Sequence, residues 1–208
     1  MSMSNILISL NGECSVSRNQ LNKSYDYIFG VDGGTEFLYK LFFIPTHIIG
    51  DLDSIKSETK RRAERDGAKI LSFSVDKDKT DLELALETTK ELNVESITII
   101  GGEGKELDHL FSNFLKLSSF KQHGIIKWIT KVENIIFNTQ MVFEVEKNKV
   151  FSILPLSDLD SLTIKGSKWD ILNENIPYAS SRTLRNIALS NEIEVHCKNG
   201  NFCLIIKN

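Results

Sequence analysis

The pattern of apolar residues changes once along the chain, near residue 132. Before this point, short apolar runs alternate with segments of helical periodicity, and after it short β-rich runs are separated only by polar turns. Strands that alternate with helices favour a parallel sheet covered by helices, whereas successive short strands favour an antiparallel sandwich. The sequence therefore predicts a three-layer α/β domain with a mostly parallel sheet of about six strands over residues 1–131, and a small antiparallel β-sandwich over residues 132–208.

Composition excludes several classes of protein. The 208 residues are 41% hydrophobic, which is enough for a core, and the net charge of −3 lacks the broad basic surface of a nucleic-acid binder. No stretch approaches the roughly 18 apolar residues of a membrane span, and the amino terminus lacks the pattern of a signal peptide. The three cysteines have no metal-ligand spacing. We expect a cytoplasmic protein with neither a nucleic acid nor a membrane as partner.

Two aspartates, Asp51 and Asp53, follow a short predicted strand that ends at Gly50. They lie at the carboxyl end of that strand, the edge of an α/β sheet where ligands bind. Carboxylates this close repel one another unless they are solvated or share a cation, and hard oxygen ligands suit Mg²⁺ that carries substrate phosphates. The local alternative is a solvated turn with Ser54 as its cap, because aspartate is common in turns.

Two further acidic clusters follow predicted strands, over residues 76–81 and 103–108. If the strands are parallel neighbours, all three clusters converge on one cleft. Local explanations exist as well: Thr80 and Glu83 have capping-box spacing, and Asp108 is predicted to cap a helix. The apolar residues of that helix, Phe111, Phe114 and Leu115, are predicted to face the core.

In the second domain, Trp169 follows a glycine turn and could offer a face for a flat or cationic ring. Ser190 and Asn191 place small polar groups before a strand. Asn199-Gly200 predicts a two-residue hairpin turn between the last two strands.

The chemistry-bearing motifs occur in a fixed order along the chain. They are Asp32-Gly33-Gly34, Gly50-Asp51-x-Asp53-Ser54, Lys77-Asp78-x-Thr80-Asp81, Gly101-Gly102 with Asp108-His109 and Asn113, Lys168-Trp169, and Ser190-Asn191-Glu192. In this order and spacing they resemble the thiamine pyrophosphokinase family, also called thiamine diphosphokinase. The resemblance covers nearly the whole chain, and the family has the same change from α/β to all-β.

The resemblance implies transfer of the pyrophosphoryl group of ATP to the hydroxyl of thiamine, giving thiamine diphosphate and AMP. It implies that Asp51, Asp53 and Asp81 hold Mg²⁺, and that Asp78 and Asp81 complete the metal shell or accept the alcohol proton. The implied ATP-binding residues are Asp32, Gly33, Gly34, Ser54, Lys77, Thr80, Gly101, Gly102, Lys105, Asp108 and His109. The implied thiamine-binding residues are Trp169, Ser190 and Asn191. A homodimer whose sites are shared between subunits is also implied.

One position departs from the family pattern. Relatives carry arginine two residues before the Asp-His pair, where this chain has Glu106 preceded by Lys105. A carboxylate cannot bind a phosphate as guanidinium does, so either Lys105 supplies the charge or the nucleotide is held differently. Two other functions stay open: a pyrophosphokinase for another flat ring alcohol such as a pterin, or a non-catalytic regulator that binds nucleotide or thiamine.

Overall fold

The computed structural model describes residues 3–21, 24–74, 78–104, 106–121, 124–137 and 141–208. The chain divides into two compact units, Met1–Lys131 and Val132–Asn208. Within the described ranges, every helix is too short or too polar to cross a membrane.

The first unit alternates strands with helices. Its elements are β1 (Ser4–Ser9), β2 (Tyr27–Val31), α1 (Thr35–Lys40), β3 (His47–Gly50), α2 (Ser57–Arg65), β4 (Lys69–Ser72), α3 (Asp81–Thr89), β5 (Val94–Ile100), α4 (Leu107–Ser119) and β6 (Ile125–Ile129). The strands pair in parallel in the order β6-β5-β1-β2-β3-β4. The predicted α/β class with a parallel sheet is confirmed.

The central strands are apolar because both faces of the sheet are covered. Ile6, Leu7 and Ile8 are consecutive in β1 and all are fully buried, which is typical of a parallel strand between two helical layers. The direction of winding reverses beside β1: the chain proceeds through β2, β3 and β4 on one side and returns to place β5 on the other. Such a reversal leaves a crevice between the carboxyl ends of β1 and β5, where ligands bind in this class of fold.

Helix α4 differs from its prediction. Phe111 and Leu115, predicted to face the core, are 60% and 62% exposed, and Leu117 is the buried residue of the helix. Apolar spacing identifies a stripe along a helix, but it does not determine which side of the helix packs on the sheet. The residue at the N-cap position is Glu106 and not Asp108.

The second unit contains only strands. They are β7 (Glu133–Phe137), β8 (Met141–Glu144), β9 (Val150–Pro155), β10 (Leu159–Lys165), β11 (Ile171–Ile176), β12 (Asn186–Ile187), β13 (Glu192–His196) and β14 (Phe202–Lys207). Two antiparallel groups, β12-β9-β14-β7 and β11-β10-β13-β8, share one apolar core. The predicted antiparallel β class is confirmed.

The predicted hairpin at Asn199-Gly200 is wrong. Strand β13 pairs with β10 and β8, whereas β14 pairs with β7 and β9, so the turn joins two sheets. Ile193 of β13 and Leu204 of β14 are both fully buried in the common core. A glycine turn favours reversal of the chain, but burial of both strands against a shared core places them on opposite sheets.

Candidate functional site

Three carboxylates meet at the carboxyl ends of two neighbouring strands of the first unit. Asp32 follows β2, and Asp51 and Asp53 follow β3. One oxygen from each lies within 4.8 Å of the others. The sequence prediction placed Asp51 and Asp53 together, and the structure adds Asp32, whose glycine-rich motif gave no metal signal.

Asp32 is the buried member of this group, with 4% of its surface exposed. Its backbone adopts a φ of 44°, which is uncommon for a residue other than glycine, and its Oδ1 accepts a hydrogen bond of 2.9 Å from the Leu52 N–H. Burial, followed by the nearby carboxylates of Asp81 and Asp51, raises the pKa of Asp32 to about 7, although the bond from Leu52 opposes the shift. The fold therefore holds a carboxyl group where negative charge is costly.

Gly50 makes this approach of the chains possible. It ends β3 with a φ of 143°, and a Cβ atom placed there would lie 2.0 Å from Asp32 Oδ1. No side chain fits at that distance, and the backbone conformation itself disfavours one. The glycine before the two aspartates is thus required by the carboxylate of Asp32 as well as by the turn.

Asp51, which is half-buried, and Asp53, which is exposed, are held by their own loop. The Asp53 N–H donates to Asp51 Oδ1 at 3.2 Å, which is the hydrogen bond of a tight aspartate turn. The charge of Asp51, more than any other group, raises the pKa of Asp53. Mutual repulsion persists even at an exposed position, so the turn concentrates negative charge instead of dispersing it.

Asp81 begins helix α3, and its position is fixed by the capping box predicted from the sequence. Thr80 Oγ1 accepts from the Glu83 N–H at 3.3 Å, and Glu83 Oε2 accepts from the Thr80 N–H at 2.9 Å. The second oxygen of Glu83 accepts from Lys116 Nζ of α4 at 2.5 Å, and this bond lowers the pKa of Glu83. The start of α3 is therefore anchored to α4.

This donor set fits a hard divalent cation. Asp32, Asp51 and Asp53 offer only oxygen ligands, and the buried carboxyl group is strained by like charges that a cation would neutralise. Asp81 acts on the same group, since its charge raises the pKa of both Asp32 and Asp53. A magnesium ion is the natural occupant when phosphate groups complete its shell.

Asn11 connects the loops that surround the carboxylates. Its Nδ2 donates to Ser54 Oγ at 3.2 Å, and its carbonyl oxygen accepts from the Gly102 N–H at 3.1 Å. Ser54 Oγ also accepts from the Gly33 N–H at 3.2 Å. The predicted backbone donors Gly33 and Gly102 are thus already engaged within the protein. Sequence reasoning missed Asn11, because Asn-Gly is an ordinary turn pair.

Two adjoining cavities open on this edge. The larger, of about 610 Å³, is lined by the three carboxylates, Asp81, Ser54 and the glycine loop after β5. The smaller, of about 480 Å³, has a floor of Leu10, Val31 and Leu82, which are all buried. Residues common to both linings are Asn11, Asp81, His109 and Asn113.

The other residues that the sequence predicted for the site do not all line the two cavities. Thr80 and Asp108 line the smaller cavity, whereas exposed Asp78 is not among the residues that line either one. Gly34 and Gly101 pack against the β1 end, where added Cβ atoms would lie 2.2 Å from Ser9 O and 2.3 Å from Leu10 O respectively. Lys77 and Lys105 lie outside the described residues.

The second unit has a separate polar cavity of about 470 Å³ that Ser190 and Asn191 help to line. Ser190 Oγ donates to the carbonyl oxygen of Glu192, and Asn191 Oδ1 accepts from the Lys147 N–H at 3.1 Å. Trp169 is not part of that lining. The residue is 49% exposed, and Lys168 Nζ lies 4.6 Å from the centroid of its ring. A ring that stacks on this face must displace the ammonium group.

Comparison with known families divides the chain in the same way. The family model described as the catalytic domain of thiamin pyrophosphokinase matches residues 18–129. The model described as the vitamin B1 binding domain of thiamin pyrophosphokinase matches residues 137–202.

Individual proteins give the same result. The thiamine pyrophosphokinase of Bacillus subtilis (strain 168) is 32% identical over 162 residues, which are 76% of each chain. The crystal structure of thiamine pyrophosphokinase from Bacillus subtilis matches with a TM-score of 0.86 and 26% identity, over 98% of this chain and 99% of that one. The thiamin pyrophosphokinase from Geobacillus thermodenitrificans shares the fold, with a TM-score of 0.79 and 23% identity over 100% and 98% of the two chains.

Proposed function

The chain belongs to the thiamin pyrophosphokinase family, and on this basis we infer that it is a thiamine diphosphokinase. The reaction transfers the pyrophosphoryl group of ATP to the hydroxyl of thiamine and releases AMP. The observation that carries the proposal is the group of three carboxylates at the sheet edge, joined to a cavity large enough for a nucleotide. No feature of the described site residues favours a pterin substrate or a purely regulatory role.

We propose that Asp32, Asp51 and Asp53 hold Mg²⁺, with Asp81 beside them. When bound, the cation would neutralise phosphate charge and the charge that develops on the leaving oxygen of the α-phosphate. The protein supplies fixed geometry: Leu52 holds the Asp32 carboxyl group and the turn holds Asp51. Preorganised charge of this kind costs no reorganisation during the reaction.

The smaller cavity suits the nucleoside of ATP. Its apolar floor of Leu10, Val31 and Leu82 offers contact to a flat base, and Ser112 and Asn113 offer polar groups at its wall. The shared lining with the larger cavity allows the triphosphate to reach the carboxylates. Ser54, Thr80 and His109 then lie along the path of the phosphates.

Asp81 is the better candidate to accept the proton of the thiamine hydroxyl. It lines both cavities, whereas Asp78 lines neither. Its capping box and the ion pair between Glu83 and Lys116 hold the start of α3 in place. A base must lie within hydrogen-bonding distance of the attacking oxygen, and this requirement favours a residue of the cavity wall.

We further propose that Trp169, Ser190 and Asn191 contact thiamine, and that the enzyme is a cytoplasmic homodimer with sites shared between subunits. The support is the match of the second unit to the vitamin B1 binding domain and the polar cavity at Ser190 and Asn191. Trp169→Ala is expected to raise the KM for thiamine more than that for ATP. Equal effects on both constants would remove Trp169 from the thiamine site.

The test of the function is product formation from ATP and thiamine, with and without Mg²⁺. We expect AMP and thiamine diphosphate in equal amounts, only with the metal, and a loss of at least about a hundredfold in kcat for Asp53→Asn. Exposed Glu91→Gln is the charge-matched control. Thiamine binding without AMP would favour a regulator, and a protein that binds no thiamine would have to be tested with other ring alcohols.

A further inference from the structure

We propose that Asn11 is a positioning residue that directs the hydroxyl hydrogen of Ser54 towards a phosphate oxygen of the nucleotide. The inference rests on the proposed function, because it assigns a nucleoside triphosphate to the larger cavity. Asn11 and Ser54 both line that cavity, together with the three carboxylates.

The orientation of the Asn11 amide is fixed by the backbone. The Gly12 N–H donates to Asn11 Oδ1 at 3.0 Å. Because a backbone N–H can only donate, its partner on the side chain is the oxygen, and the amide nitrogen must point the other way. That nitrogen lies 3.2 Å from Ser54 Oγ.

Asn11 has little freedom to turn away from this position. Its carbonyl oxygen accepts from the Gly102 N–H at 3.1 Å, which ties its backbone to the loop after β5. On the other side, Gly33 packs so closely that an added Cβ atom would lie 2.6 Å from Asn11 Oδ1. The side chain is held between two loops.

The hydrogen bonds at Ser54 determine where its own hydrogen points. A hydroxyl group has two acceptor positions and one hydrogen. Ser54 Oγ accepts from Asn11 Nδ2 and from the Gly33 N–H, both at 3.2 Å, so both acceptor positions are used. The hydrogen is left to donate towards the cavity, where the oxygens of a triphosphate are acceptors.

The variant Asn11→Asp distinguishes the orienting of the Ser54 hydroxyl group from a role of Asn11 in holding the loops together. Aspartate has nearly the same shape and still accepts from the Gly12 N–H, but it cannot donate, so Ser54 would give its hydrogen to the introduced carboxylate instead of to phosphate. We expect the KM for ATP to rise about tenfold and the KM for thiamine to stay within about twofold. Asn19→Asp, on the exposed turn Arg18–Gln20, controls for the added charge.

A double-mutant cycle tests whether Asn11 acts through Ser54. Asn11→Ala should raise the KM for ATP about threefold in the wild-type chain and by no further factor in Ser54→Ala. Dissociation constants of a non-hydrolysable ATP analogue with Mg²⁺, measured by calorimetry without thiamine, should show the same coupling. These binding data do not depend on turnover.

The outcomes separate the two proposals. Independent effects of the two alanine substitutions would overturn the positioning role, as would a loss of kcat that merely follows a large fall in Tm. Coupled effects on nucleotide binding in a protein that makes no thiamine diphosphate would uphold the role of Asn11 and refute the proposed reaction. Turnover without coupling would refute the role of Asn11 alone.

Discussion

Two groups of three ionisable side chains lie in the first unit, and they differ in burial. Asp32, Asp51 and Asp53 form one group, and Glu106, Asp108 and His109 form the other; in each, the ligand atoms lie within 4.8 Å of one another. The first group has a buried member and bonds from its own loop. All three residues of the second group are exposed at the start of α4, where the His109 N–H donates to Asp108 Oδ1 at 2.8 Å.

The difference shows that proximity alone does not make a preorganised site. His109 Nε2 lies 3.5 Å from Glu106 Oε2, but their side chains are 77% and 76% exposed, so solvent screens the pair and both can move. In the first group the backbone retains like charges together at a cost. A bound cation would relieve this repulsion, so the first group is the one that is preorganised to bind it.

The largest expected effect compares equal substitutions in the two groups. Asp51→Asn keeps an acceptor for the Asp53 N–H but removes a charge from the metal site, and we expect kcat to fall at least about a hundredfold. Asp108→Asn should reduce kcat/KM for ATP less than about tenfold. Steady-state kinetics at saturating Mg²⁺ measure both, and losses of equal size would break the distinction between the groups.

The next effect concerns the glycine that makes the first group possible. Gly50→Ala should lower the free energy of unfolding by about 3 kcal/mol or more, because the new Cβ would meet the Asp32 carboxyl group. Gly67→Ala is the matched control: its φ is also positive, at 91°, but nothing lies within 4 Å of an added Cβ. It should cost only about 1–2 kcal/mol of backbone strain. Urea denaturation measures both losses of unfolding free energy. Similar losses in the two variants would show that the Asp32 side chain moves aside easily.

Asp32→Asn is expected to stabilise the metal-free protein while abolishing activity. Folded wild-type protein keeps the Asp32 proton up to about pH 7, whereas the unfolded chain releases it near pH 3.8. The folded state then binds more protons between these values, so its free energy of unfolding falls as pH rises through this window. Asp32→Asn has no carboxyl group at this position, so its unfolding free energy does not fall for this reason as the pH rises.

Thermal melts in the presence of a chelator test the direction of this pH dependence. The Tm advantage of Asp32→Asn should be small near pH 4 and reach several degrees by pH 7, at roughly 2–4 °C per kcal/mol. Asp108→Asn, at an exposed position, is the charge-matched control. An advantage that shrank with rising pH would contradict the burial of an unfavourable charge.

The smallest effect belongs to the exposed group. Glu106→Arg exchanges a negative charge for the arginine typical of relatives, and we expect the KM for ATP to fall about twofold to threefold, because exposed charges interact weakly. Glu106→Gln should give part of that gain. An unchanged KM in both variants would indicate that the phosphates pass far from Glu106.

The fold class followed from the sequence because burial leaves a direct record in composition. The consecutive apolar residues of β1 and the alternating apolar residues of β13 indicate sheets covered on two faces and on one face, respectively. The exposed side of α4 and the separation of β13 from β14 could not be predicted, since each depends on partners distant in sequence. Phe111 and Gly200 carry ordinary local signals that tertiary packing overrides.

The carboxylates were predictable in part for a similar reason. Asp51 and Asp53 follow a strand directly, so their approach is a local property. Asp32 joins them only because β2 and β3 are neighbours, and Asn11 meets Ser54 only across 43 residues of chain. Such contacts leave no periodic trace in the sequence.

The reversal of winding beside β1 also has a consequence for biosynthesis. Strand β1 meets β5 through contacts as remote as the bond between Ser96 Oγ and Asn5 Oδ1, which spans 91 residues. Until β5 has emerged from the ribosome, the nascent chain presents one side of β1 as an unpaired apolar edge. The crevice is therefore among the last features of the sheet to form, and a slow, late-closing edge of this kind is the place where a chaperone or a misfolding partner would bind first.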